Sequence, residues 1–104
     1  MKKIINLFDE FNWVEASEYS AGTKKKVLRD DEKGKTILLK LPEGFYMASH
    51  SHLSAEQHFL IRGTYTSDGK VYHEGTYQNF AAHEDHGPFE SEHGALILVV
   101  WDQY

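Results

Sequence analysis

The sequence predicts an all-β domain, either a sandwich or a barrel, on three observations. Short runs of apolar, β-branched and aromatic residues recur along the chain, and turn-forming residues separate them about every eight to twelve positions. Almost no stretch repeats its apolar residues with the 3.6-residue period of a helix. The chain has 104 residues, which is enough for one domain with a modest core and too few for two.

The first part of the chain contains two predicted strands and a segment of mixed character. Residues 1–20 carry aromatic side chains among acidic ones without a clear period, and we interpret them as a short strand or a turn of helix over the core. Residues 22–28 lead through a basic turn into a short strand, and the lysine run 24–26 is interpreted as a solvated face or a turn. After a glycine turn, an apolar, β-branched strand covers 36–41 and ends at Pro42.

The rest of the chain predicts further short strands. Gly44 opens a strand that carries two histidines, and residues 56–62 form the next strand, whose side chains alternate between two faces. The turn Ser67-Asp68-Gly69 between two short runs is a strong hairpin signal. The remaining predicted elements are hairpin strands at 64–66 and 70–72, a turn at 74–75, a strand at 76–81, turns at 87–88 and 92–94, and a continuous apolar strand at 95–101.

Charge and composition limit the partners of the chain. Sixteen acidic and eleven basic residues give a formal charge of −5, whereas nucleic-acid binding needs clustered lysine and arginine, so we expect no nucleic-acid partner. The absence of cysteine excludes disulfides and thiolate metal sites. No apolar run is long enough for a signal peptide or a membrane span, so we expect a cytoplasmic protein without a membrane partner.

The most informative stretch of the sequence is 44–58, which contains His50 and His52. Residues two apart in a strand point to one face with backbone anchors about 6.6 Å apart, whereas in a helix their side chains diverge. Two imidazole nitrogens can then bind one metal ion at about 2.0–2.1 Å each. Glu56 reaches the same ion only if the chain turns near Ser54 and returns on the neighbouring strand. The stretch therefore predicts a strand, a turn, a second strand and a metal ion between them.

These residues resemble the first motif of the cupin superfamily. Gly44, His50, His52, Glu56 and Gly63 match that motif without a gap. The frame formed by the two glycines makes a chance pair of surface histidines a poor explanation of the pattern.

A second, weaker resemblance lies further along the chain. Gly75, Ala81, His83 and His86 are similar in spacing to the second cupin motif, although the family usually has proline at the position of Ala81 and glycine at that of His83. The resemblance extends from about residue 36 to 100. It is strongest to the small cupins of the ChrR type, which include the cupin of the anti-sigma factor ChrR and single-domain acetylacetone and dihydroxyacetophenone dioxygenases.

This resemblance implies a double-stranded β-helix, or jelly roll, that holds one divalent metal ion. It implies a single cupin domain over residues 1–104, with the core at 36–100 and with residues 1–30 packed on the barrel or capping it. Carried over by position, the metal ligands are His50, His52, Glu56 and His86, and His83 is the alternative to His86.

Other residues have expected positions but less definite roles. His58 shares a strand face with Glu56, so we expect it inside the barrel as an extra ligand, a group that orients a ligand, or a histidine bonded to another polar group. Tyr46 lies on the face of the histidine pair and is a candidate for the pocket, although it is also suited to the core. We expect His73 and His93, which lie at turns, to be exposed. Core packing is assigned to Phe80, Phe89, Leu96, Leu98 and Trp101.

A site of this composition accepts several divalent ions, namely iron, nickel, manganese, zinc or cobalt. On the resemblance, we expect a small metal-dependent enzyme of the dioxygenase type that acts on a dicarbonyl or hydroxy-ketone. An isomerase or lyase on the same ion is the less favoured alternative. In that enzyme His58 and Tyr46 orient the small-molecule substrate. The alternative is a non-enzymatic metal- or ligand-binding sensor of the ChrR type. Because exposed sheet edges need cover, which the aromatic amino-terminal segment could provide, we also expect a homodimer.

Overall fold

Ten antiparallel strands in two sheets make up the computed structural model of this chain, which describes residues 3–50 and 54–103. No helix occurs within those two ranges, and so no helix in them is long and apolar enough to cross a membrane. The predicted all-β class is therefore confirmed. The strands are β1 (Val14–Glu15), β2 (Lys24–Asp31), β3 (Gly34–Leu41), β4 (Phe45–Met47), β5 (Glu56–Gly63), β6 (Tyr65–Ser67), β7 (Lys70–Tyr72), β8 (Tyr77–Phe80), β9 (Phe89–Ser91) and β10 (Ala95–Asp102).

The larger sheet has six strands in the order β1-β2-β3-β10-β5-β8, and the smaller has four in the order β4-β9-β6-β7. Strand β10 lies in the middle of the larger sheet, where it pairs with β3 on one side and β5 on the other. Its continuous apolar sequence agrees with its burial, because every residue of the strand except Asp102 is buried or half-buried. The two inner faces enclose one core, composed of Ala16, Ile37, Leu39, Leu41, Phe45, Leu60, Tyr65, Phe89, Ala95, Ile97 and Val99.

The amino-terminal segment lies against the outer face of the larger sheet. Trp13 packs there between the ammonium groups of Lys26 and Lys40, which lie 4.9 and 4.6 Å from its ring centroid. Phe8 stacks on the guanidinium of Arg62 at 4.0 Å. These cation–π contacts connect the segment to β2, β3 and β5.

The lysine run 24–26 is neither a turn nor a fully solvated face, so that interpretation was wrong. It lies in β2, and Lys26 is only 3% exposed beneath the amino-terminal segment. The Lys26 ammonium lies 2.5 Å from the carboxylate of Asp9, and the Trp13 indole N–H donates to the Asp9 carbonyl at 3.0 Å. A lysine is tolerated in such a position because its stem is apolar and its charge is paired.

The histidine-bearing strand is shorter than predicted, and it does not neighbour the strand that follows. Strand β4 ends at Met47, and His50 takes part only in an isolated bridge with His86. Strand β5, which begins at Glu56, belongs to the other sheet. The chain therefore crosses from the smaller sheet to the larger one between these elements. His52 lies outside the described residues.

The ion pair of Asp9 gives a prediction about stability and pH. The hydrogen bond from Lys26 holds the pKa of the Asp9 carboxyl below its ordinary value of 3.8, with help from the backbone N–H of Phe11. Because this pKa is lower in the folded chain than in the unfolded one, the carboxylate stabilises the fold above about pH 4, and that contribution is lost as the pH falls through the folded-state pKa. Asp9→Asn should therefore lower the melting temperature at neutral pH and reduce its dependence on pH below about 4.

Thermal unfolding followed by circular dichroism between neutral and acidic pH measures both effects. Glu10→Gln is the matched control, because Glu10 is highly exposed and lies 3.8 Å from its lysine partner, Lys40. An Asp9→Asn protein with the melting temperature and the acid dependence of the unmodified chain would contradict the prediction.

Candidate metal centre

Two histidines lie opposite each other where the smaller sheet continues beyond β4. The backbone N–H of His50 donates to the carbonyl of His86 at 2.9 Å, and the N–H of His86 donates to the carbonyl of His50 at 2.8 Å. In such an antiparallel pair, the two side chains leave the backbone on the same side. Their Nε2 atoms lie 2.9 Å apart. The backbone pairing therefore brings together two imidazoles that are 36 positions apart in sequence.

This pair continues the ladder between β4 and β9 after an interruption. The regular ladder ends with Met47 opposite Phe89, and three residues further along each segment the same register places His50 opposite His86. Met47 and Phe89 already face the core, so strict alternation would turn both histidines outward. The interruption changes this alternation and leaves the histidines facing the core.

Gly87 and Pro88 account for the interruption. Pro88 has no N–H to donate to the ladder, and Gly87 has a φ of +101°, in the left-handed region that favours glycine. A Cβ on Gly87 would lie 3.2 Å from Cα of Ser49, a close approach that only glycine permits without displacement. The glycine thus allows the two histidine-bearing segments to meet.

The hydrogen bonding of His50 determines which of its nitrogens is free of a proton. Its Nδ1 lies 3.1 Å from the carbonyl oxygen of Ala48. A carbonyl only accepts hydrogen bonds, so the proton of the neutral ring is on Nδ1 and Nε2 carries a lone pair. The Nε2–H of His86 then donates to that lone pair, and ligation of an ion by this nitrogen requires the tautomer of His86 that has its proton on Nδ1. Metal-binding histidines commonly have the same arrangement, with one nitrogen on the ion and the other donating to a carbonyl.

Glu56 brings a carboxylate to the two imidazoles. It is the first residue of β5, it is 3% exposed, and its Oε1 lies 3.9 Å from Nε2 of His86. The same oxygen accepts a hydrogen bond from the indole N–H of Trp101 at 2.5 Å, and its Oε2 is bonded to Nε2 of His58. The carboxylate is therefore buried and held by neighbours at both oxygens.

The expected inward position of His58 is confirmed, since this residue is 5% exposed. Its ring lies 5.0 Å from that of Phe80 and 6.2 Å from that of His86. Among the residues that the structure describes, its Nδ1 has no hydrogen-bond partner. His58 is thus a cavity histidine that contacts the site through Glu56.

Two tyrosines, Tyr19 and Tyr65, line a small cavity that Glu56 and His58 also border. Burial raises the pKa of the Tyr19 phenol far above its ordinary value, and the charges of Glu56 and Glu18 act in the same direction. Burial likewise raises the pKa of Tyr65, with smaller effects from Tyr72 and Glu56. Both phenols are therefore neutral over the whole physiological pH range.

The cavity beside these groups is small and mostly apolar. Its volume is about 20 Å³, which is enough for one water molecule or ion. Its apolar lining includes Leu39, Leu41, Phe45, Met47, Phe89 and Ile97.

The structure distinguishes the two candidate histidines of the second motif. His86 is 5% exposed and contacts His50, whereas His83 is exposed. His83 has a φ of +66°, which is a left-handed conformation. This conformation favours glycine, the residue that is usual at this position of the second cupin motif. The expected exposure of His73 and His93 is confirmed.

The structure contradicts both expected positions of Tyr46, the pocket and the core. Tyr46 is 52% exposed and borders an outer groove with Glu90 and Glu92, while its neighbours Phe45 and Met47 face the cavity. The prediction assumed regular alternation from Tyr46 to the histidines, and the interrupted ladder breaks that alternation.

Two residues near the site were missed by the sequence analysis. Trp101 was assigned to packing, although alternation from Ile97 and Val99 places it on the inner face, where an indole N–H needs a partner. Tyr19 lies in a segment without periodicity, so nothing in the sequence could have placed it at the cavity.

The residues present fit a divalent ion. Two ligands that bind one ion at right angles, at about 2.0–2.1 Å each, are about 2.9 Å apart. This is the distance between the Nε2 atoms of His50 and His86, and Glu56 adds a carboxylate beside them. Within residues 3–50 and 54–103, no three histidine, aspartate or glutamate side chains already lie close enough together to hold an ion. Ligation by Glu56 would therefore require a small movement towards the imidazoles.

Comparisons with known proteins agree with the fold. The family model described as the ChrR cupin-like domain matches residues 1–104. An acetylacetone dioxygenase from Acinetobacter johnsonii superposes with a TM-score of 0.81 and 16% identity, over 98% of this chain and 74% of that one. KdgF from Halomonas sp. gives a TM-score of 0.76 and 16% identity, over 91% and 88% of the two chains.

A third similar structure is the complex of SigE with the anti-sigma ChrR from Rhodobacter sphaeroides. It gives a TM-score of 0.75 and 17% identity, over 91% of this chain and 51% of that one. The comparison with curated proteins gave no match. At these identities, the structural similarities establish the jelly-roll fold that the resemblance implied and leave the activity open.

Proposed function

The chain belongs to the ChrR cupin-like domain family, and we propose that it binds one divalent metal ion through His50, His86 and Glu56. We propose His52 as the fourth ligand on sequence spacing alone. The observation that carries the proposal is the in-register His50–His86 pair, with two Nε2 atoms 2.9 Å apart beside a buried carboxylate. A site with these ligands is compatible with iron, nickel, manganese, zinc or cobalt.

Catalysis of the dioxygenase type on a dicarbonyl or hydroxy-ketone is the activity that we propose for this site. A bound ion would polarise a substrate oxygen and, if it is redox-active, support chemistry with O₂. Glu56 acts in this proposal either as a ligand of the ion or as the acceptor of a proton from the acidic carbon of a dicarbonyl, and Trp101 and His58 hold its carboxylate in either role. The apolar walls limit access of water to the reacting groups.

A non-enzymatic sensor is the second candidate, and the size of the cavity favours it. A volume of about 20 Å³ accommodates an ion with a water molecule, whereas a dicarbonyl needs side chains to move. The similarity to a ChrR whose structure is a complex with a sigma factor supports a protein partner for such a sensor.

The proposed ligands give a prediction about metal affinity. His50→Ala, His52→Ala and His86→Gln should each weaken zinc binding by more than the roughly 10- to 100-fold that is typical for the loss of an outer contact. Because a metal bound only by the folded state stabilises it, zinc at 100 times its Kd should stabilise the unmodified chain by about 2.7 kcal/mol and the variants by much less. Isothermal titration and thermal unfolding with and without zinc measure these effects.

His83→Gly is the matched control for His86→Gln. It removes a histidine three positions away, from an exposed residue with a φ of +66°. We expect unchanged zinc affinity and no loss of stability without metal. Retention of full zinc affinity by all three ligand variants would refute the proposed site.

The proposed activity gives a separate prediction. Protein loaded with iron(II) should consume O₂ in the presence of pentane-2,4-dione, while zinc-loaded protein should not, because zinc has no redox step. Glu56→Gln should lower the rate per bound iron, since an amide cannot accept the proton. Oxygen-electrode traces and product analysis measure the reaction. Stoichiometric metal without turnover in any loaded form would reject the enzyme and leave the sensor.

The homodimer that we propose is supported by the edge of the larger sheet and the segment before it. Strand β1 is an edge strand, and Ile4, Phe11 and Val14 are 81%, 72% and 52% exposed. Such apolar exposure beside the outer edge of a strand that pairs on one side only favours association of two chains. Sedimentation velocity at micromolar concentration should therefore show a dimer, and Phe11→Ser should weaken it. A monomer at that concentration would contradict the proposal.

A further inference from the structure

Trp101 lies directly opposite Glu56 in the pairing of β10 with β5. Its side chain follows Ile97 and Val99 on the inner face of β10, because alternate residues of a strand share a face. The indole Nε1–H donates to Oε1 of Glu56 at 2.5 Å. The hydrogen bond thus joins two residues that the register of the sheet already places side by side.

The indole also has a neighbour on its other side. Trp101 also lies opposite Lys35 in the pairing of β10 with β3, and the Lys35 ammonium lies 5.7 Å from the indole ring centroid. The ring is partly buried between these two neighbours. A donor with so little freedom can hold an acceptor in one orientation at a small entropic cost.

The carboxylate of Glu56 is held from two directions. Trp101 donates to Oε1, and His58 is bonded to Oε2. These contacts orient the carboxylate beside Nε2 of His86, which lies 3.9 Å from Oε1. A carboxylate in this position can approach an ion between the histidines by a short movement, and the indole limits the other directions in which it can turn.

We propose that Trp101 is a positioning residue of the metal site, which orients Glu56 for ligation through its indole N–H. The inference rests on the proposed metal binding by His50, His86 and Glu56. Removal of a hydrogen bond that orients a metal ligand typically lowers metal affinity by about 10- to 100-fold. Trp101→Phe keeps most of the aromatic volume and removes the N–H, so we expect a loss of affinity in that range.

A double-mutant cycle with cobalt(II) as the probe tests whether Trp101 acts through Glu56. Optical titration gives both the affinity and the ligand-field spectrum of the bound ion. Trp101→Phe should weaken binding about 10- to 100-fold and alter the spectrum in the unmodified background, and it should have little further effect in the Glu56→Gln background. Trp13→Phe is the matched control, because Trp13 packs on the outer face of the sheet between Lys26 and Lys40.

Four results of this cycle would contradict the inference, and each has its own meaning. Unchanged affinity in Trp101→Phe, or an equal loss in both backgrounds, would overturn the inference while the metal site stands. Absence of cobalt binding by the unmodified chain would instead overturn the proposed function, and the inference would fall with it. An affinity loss in Trp13→Phe as large as that in Trp101→Phe would also overturn the inference, because it would show a general effect of removing an indole.

A second measurement covers the case in which Trp101→Phe does not fold. The Trp13→Phe protein contains one tryptophan, so its ¹⁵N spectrum has a single indole N–H resonance, that of Trp101. A hydrogen bond to a carboxylate should place this resonance far downfield, and Glu56→Gln and zinc should each move it. A resonance that neither change affects would overturn the inference.

Discussion

The paired backbone hydrogen bonds between His50 and His86 are the constraint on which the rest of the site depends. They join a segment that leaves β4 to a segment that enters β9, and they do so in the register of the β4–β9 ladder. Register alone would turn both side chains outward, and the interruption at Gly87 and Pro88 turns them inward. The backbone pairing and its interruption therefore determine where the two imidazoles lie.

The buried polar groups around this pair are costly unless they bond to one another. Glu56, His58 and His86 are each at most 5% exposed, and the two histidines lie against the rings of Phe80 and Phe89. In such surroundings an unpaired charge is strongly unfavourable. The bonds from His58 and from the indole of β10 reduce that cost, and they also hold the carboxylate next to the histidines. The same contacts therefore serve stability and geometry.

Local patterns in the sequence predicted those parts of the fold that depend on local physics. The apolar run of β10 and the alternation of Glu56, His58 and Leu60 indicated a buried strand and an inward face, and the structure has both. The β6–β7 hairpin follows from Asp68 and Gly69, whose φ angles of +53° and +79° suit this tight turn.

The features that the sequence did not predict depend on distant segments. Burial of Lys26 requires Asp9, and the inward position of His50 requires a break in alternation that Gly87 and Pro88 cause from the opposite segment. The spacing of residues in the sequence does not show either effect.

The most direct test of the account is a crystal structure with cobalt(II) and an anomalous difference map. We expect one peak about 2.0–2.1 Å from both Nε2 atoms of His50 and His86; imidazoles still bonded to each other, with cobalt absent or bound elsewhere, would contradict it.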